Sequence, residues 1–79
     1  MYGVIYLLKF PDEEDPSLES LELFDTFEEA EKRTREIVAQ FLEEYGDDYS
    51  KFATEKNPDA IMSNGEVVGY AFIRKADAT

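Results

Sequence analysis

Apolar positions fall on both alternate sets in the first and last stretches of the chain, and on a helical rhythm in the middle. In residues 2–10 one set is Tyr2, Val4, Tyr6, Leu8 and Phe10, and the other includes Ile5 and Leu7. A strand that is apolar on both sides belongs in the centre of a sheet. Pro11 to Pro16, with Asp12-Glu13-Glu14-Asp15 between the prolines, read as a loop. Residues 18–24 follow as a second strand whose Glu19 and Glu22 suit an exposed edge. The two strands are expected to pair as an antiparallel hairpin through the acidic loop.

Thr26 with Glu29 three residues on forms a capping box, the signature of a helix start. Phe27, Ala30, Thr34, Ile37, Val38, Phe41, Leu42 and Tyr45 then keep the i, i+3, i+4, i+7 spacing of an amphipathic helix. Gly46 is the expected C-cap, so the helix is placed at 26–45. Glu28–Lys32, Glu29–Arg33 and Glu31–Arg35 are spaced for favourable i,i+4 pairing. The polar stretch 47–57 carries Tyr49 and Phe52 at a spacing that would pin a short helical turn to the core, and Pro58 ends it. Strands at 60–63 and 66–75 flank Asn64-Gly65, a two-residue turn signal that asks for positive φ at both central positions.

The order is ββαββ. The expected fold is a single α+β domain over residues 1–79, with a four-stranded, mainly antiparallel sheet. The first and last strands lie in its middle and the long helix crosses one face. That leaves a second apolar face. If Ile5, Leu7, Val67, Ala71 and Ile73 point to the helix, then Tyr2, Val4, Tyr6, Leu8, Tyr70 and Phe72 point away from it. Apolar patches of that kind rarely stay open to water. Segment 47–57, a second copy or another protein could cover this one, so Tyr2, Tyr6, Tyr70 and Phe72 are the candidate apolar interface.

Composition narrows the chemistry. The chain has 79 residues with no Cys and no His, which removes disulfides, thiolate metal sites and the commonest general base. The four serines 17, 20, 50 and 63 therefore lack a histidine partner for nucleophilic catalysis. The acidic runs do not match a calcium-binding loop, and no Gly-rich phosphate cradle is present. The reading is of a protein that is not an enzyme and uses no cofactor and no metal. The N-terminus lacks the basic region of a signal peptide and no apolar run is long enough to span a bilayer, so the location expected is cytoplasmic.

Charge changes the picture most. Nineteen acids against eight bases give −11. Direct binding to nucleic acid or to an anionic membrane would oppose this charge. The first half of the helix is locally balanced by Lys32, Arg33 and Arg35. The excess falls in two clusters, Asp12, Glu13, Glu14 and Asp15, and Glu43, Glu44, Asp47 and Asp48. The second cluster opposes the helix dipole, and such clusters steer a protein onto a basic surface. The partner expected is a basic protein, such as a nuclease or another nucleic-acid-binding protein.

In size, acidity and lack of Cys and His, the chain looks like the small phage-encoded inhibitors of restriction or CRISPR nucleases. That likeness implies a DNA-mimicking inhibitor. Asp25-Thr26-Phe27-Glu28-Glu29-Ala30 is similar to the helix opening of HicB-type antitoxins, without the Gly-rich stretch those carry before it. The alternative, which rests on the second apolar face and is antitoxin-like in this likeness, is a homodimeric structural or regulatory module using the aromatic outer face of its sheet.

Overall fold

The computed structural model describes residues 1–46 and 59–76. The order is β1 (Tyr2–Lys9), β2 (Ser17–Phe24), α1 (Phe27–Tyr45), β3 (Ala60–Ser63) and β4 (Val68–Lys75). One four-stranded sheet runs β2-β1-β4-β3, and every neighbouring pair is antiparallel. β1 and β4, the two strands apolar on both sides, are central as the sequence predicts.

The helix begins at Thr26, whose Oγ1 accepts from the Glu29 backbone N–H at 3.2 Å. Its hydroxyl also donates to Glu29 Oε1 at 3.0 Å. Gly46 ends the helix at φ 98°, a conformation that glycine adopts without penalty, and its N–H bonds Leu42 O. Thr34, fully buried on the sheet side, donates its hydroxyl to Ala30 O at 3.0 Å. That bond satisfies a polar group that the core would otherwise penalise.

The core lies between α1 and one sheet face. Ile37 and Phe41 meet Val4, Ala60, Met62, Ala71 and Ile73 there. β4 approaches the helix so closely at Gly69 that a Cβ would stand 2.9 Å from the Phe41 ring.

The sheet register reverses the facing expected for both alternate sets of β1. Val4 lies opposite Ile73, Tyr6 opposite Ala71 and Leu8 opposite Gly69. Paired residues share a face. Tyr2, Val4, Tyr6 and Leu8 therefore face the helix, while Ile5 and Leu7 lie on the outer face with Phe72 and Tyr70. For β4 the expected division holds. Both alternate sets of β1 are apolar, so alternation alone cannot orient the strand; the pairing with β4 does.

Other expectations shift locally. Asn64 does not take positive φ; among these turn residues only Gly65 does, at 92°. The turn spans residues 64–67, and Asn64 Oδ1 closes it by accepting from the backbone N–H of Glu66 at 2.9 Å and of Val67 at 2.7 Å. Asn64 works through its side chain, in the manner of an Asx turn. Of the three helix pairs, Glu31–Arg35 forms at 3.3 Å. Glu29 is held by the cap, and Arg33 turns instead to Glu22 on β2 at 2.8 Å; Glu28–Lys32 makes no ion pair. Glu22 is thus on the helix side of the edge strand, and Leu21 and Leu23 take the outer side. The expected turn at 47–57, with Tyr49, Phe52 and Pro58, lies outside the described residues.

Candidate functional site

The acidic clusters come from separate parts of the chain, and the direction of the helix brings them together. At one end of the molecule Tyr2 meets Phe27 in the first helical turn, ring centroids 5.6 Å apart. At the other end Phe10 meets Tyr45 in the last turn at 6.4 Å. α1 therefore runs beside β1 in the same direction. The loop that follows Phe10 and the helix C-terminus share one end, which gathers Asp12, Glu13, Glu14 and Asp15 with Glu43 and Glu44.

Two acids outside both of the clusters read from the sequence belong to the same end. Glu19 sits where the β1–β2 register shifts, and Glu66 is in the 64–67 turn, next to Val68, which pairs with Lys9. Hairpin geometry could have placed Glu66 there, since both turns lie at the same end of an antiparallel sheet. The helix adds the negative pole of its dipole, and its last turn holds no basic residue to offset it. Asp47 and Asp48 lie outside the described residues.

The loop acids have different tasks. Glu13 is half-buried: Oε1 accepts from the Phe10 N–H at 3.3 Å and Oε2 from the Ser17 hydroxyl at 2.7 Å. Its backbone N–H also bonds Phe10 O at 3.0 Å. Glu13 holds the loop, and exposed Asp12, Glu14 and Asp15 are presented by it.

Just behind this end, a groove of about 330 Å³ runs between β2 and the helix, lined by Tyr6, Leu8, Glu19, Ser20, Arg33, Gln40, Glu44 and Tyr45. The Ser20 hydroxyl is buried there without a hydrogen-bond partner among protein atoms. Burial pushes the Tyr6 phenol up to about 12, and Tyr45 and the carboxylates of Glu44 and Glu19 add to the rise. The Tyr45 phenol is raised by the same causes, burial first and then Glu44 and Glu19. Both phenols stay neutral across the physiological range. Among the described residues, no group of three or more acids is placed to hold a metal ion. No helix among them is long and apolar enough to cross a membrane.

The expected apolar interface divides. Tyr70 and Phe72 are on the outer face, with rings stacked at 6.3 Å and 12°. Tyr2 and Tyr6 are on the helix side, and Tyr6 is only 8% exposed, so these two do not belong to an outer surface. The outer face is built instead from Ile5 and Leu7, Tyr70 and Phe72, Ile61, and the β2 residues Leu18, Leu21 and Leu23. Those three leucines are each about 60% exposed, which marks the edge strand as the least covered part of the face.

Compared with protein-family models, with curated proteins and with solved structures, the chain finds no match in any of the three.

Proposed function

We propose that this chain is a non-enzymatic binding protein that sets its acidic end on a basic surface of a partner protein. It would act as an inhibitor by occupying a nucleic-acid-binding groove. The observation that carries this reading is the convergence of residues 12–15 with Glu43 and Glu44 at one end, beside the helix's negative pole. Carboxylates on a rigid frame can replace phosphates in a basic groove, because a groove built for phosphates holds Lys and Arg at which counterions are exchanged. The likeness in composition to small phage-encoded nuclease inhibitors points to the same partner class.

The test is capture from a cell lysate on the immobilised chain, compared with a variant carrying Asp12→Asn, Glu14→Gln, Glu43→Gln and Glu44→Gln. Glu13 is left in place because it holds the loop. The reading expects basic proteins retained at low salt and released by added salt or by double-stranded DNA. At about 0.5 kcal/mol for each exposed ion pair, the four changes should weaken binding roughly 30-fold. Partners held equally by the variant, or indifferent to salt, would contradict it. The outer sheet face, which no described residue covers, favours a second reading, self-association as a small structural or regulatory module.

A further inference from the structure

We infer that the outer face of the sheet is a self-association surface, on which a second copy of this chain packs sheet against sheet. The inference is independent of the acidic end. Its first ground is charge. In a chain of net charge −11, two copies can approach closely only where carboxylates do not oppose one another. The strand positions of the outer face carry no acid. Their charged residues are Lys9 and Arg74 at opposite ends, and Arg74 binds Asp59 at 3.0 Å while its guanidinium lies 5.1 Å from the Phe72 ring centroid.

The second ground is area. Four strands about 4.8 Å apart, up to eight residues long at about 3.3 Å per residue, give a face of about 400–500 Å² in projection. Two such faces give about 800–1,000 Å², close to the roughly 1,000 Å² that a biological interface must clear and in the size class of weak, reversible association. The described residues form one sheet with one helix on one face, so a second sheet would turn the outer layer into the core of a sandwich.

The charge distribution also selects the arrangement. A two-fold axis along the strands would set the acidic ends side by side. An axis across the strands makes the two copies antiparallel and places each acidic end beside the Arg74 end of the other copy. The dimer then carries its acidic ends at opposite poles.

Sedimentation equilibrium over about 1 µM to 1 mM covers the affinity expected for an interface of this size. The wild type should reach twice its 9.1 kDa monomer mass, and added salt should not dissociate it. Leu21→Glu with Leu23→Glu should return the mass to 9.1 kDa with an unchanged far-ultraviolet spectrum. If that pair unfolds the chain, Ile61→Lys reads the same face from the other edge and should also give a monomer. The four-site acidic variant should remain a dimer. A wild type that stays monomeric throughout overturns the inference, as does a dimer that survives the face substitutions. Lysate capture by a monomeric chain would leave the docking reading standing, so the two fail separately.

Discussion

The two faces of the sheet are built from similar side chains and are held in different ways. On the helix side, Val4, Ala71, Ile73 and Met62 are almost or wholly excluded from water by Ile37 and Phe41. The backbone of β4 comes so close there that even a methyl at Gly69 has no room. On the other side, leucines of equal hydrophobicity stand more than half exposed along β2. The difference teaches that hydrophobicity marks a residue for burial without naming what buries it. The helix-covered face is completed by the chain's own described residues, and the outer face is not.

Substitution separates the two faces, beginning with the largest effect. Phe41→Ala removes a fully buried ring from the covered face and should cost about 3–5 kcal/mol in chemical denaturation. In a domain this small, where stability is about 5–15 kcal/mol, that approaches unfolding. Gly69→Ala should cost about 1–3 kcal/mol, because the Phe41 ring that must shift is itself enclosed. A stability unchanged by Gly69→Ala would show that the helix does not sit this close to β4.

The third effect is a pH dependence. Folding raises the Tyr6 phenol from its ordinary value of 10.0 to about 12, so the neutral form is favoured in the folded chain. Stability from this group is fully present below pH 10 and is lost as pH rises toward 12. Tyr6→Phe should flatten that part of the denaturation profile; an equal slope in the variant would place the phenol in water. The smallest effect belongs to the outer face. Leu23→Ser, measured at concentrations where the chain is monomeric, should change stability by no more than about 0.5 kcal/mol.

Much of the fold was legible from local signals. The capping box, the helix spacing and Gly46 gave the helix, and double-sided apolarity gave the central strands, because those features act within a few residues. What was not legible depends on pairing across the sheet. Tyr2 and Tyr6 could be assigned a face only once Tyr6 was set opposite Ala71. Glu22 reads as a solvent-facing edge residue until Arg33 reaches it from the helix, 2.8 Å away. The acidic clusters were visible as runs of residues, yet their meeting at one end follows from the parallel course of α1 and β1, which no local pattern encodes. Glu13 looks like its neighbours in sequence and differs only in having the Phe10 N–H and the Ser17 hydroxyl within reach.

The central claim is that the acidic end is the docking surface. The direct measurement is a titration of a captured partner, followed by fluorescence anisotropy at several salt concentrations, with wild type, the four-site acidic variant and Leu21→Glu. Docking through the acidic end predicts that the acidic variant binds roughly 30-fold more weakly with a shallower salt dependence, and that Leu21→Glu binds as the wild type does. The opposite pattern, full affinity in the acidic variant and loss of binding in Leu21→Glu, would contradict it.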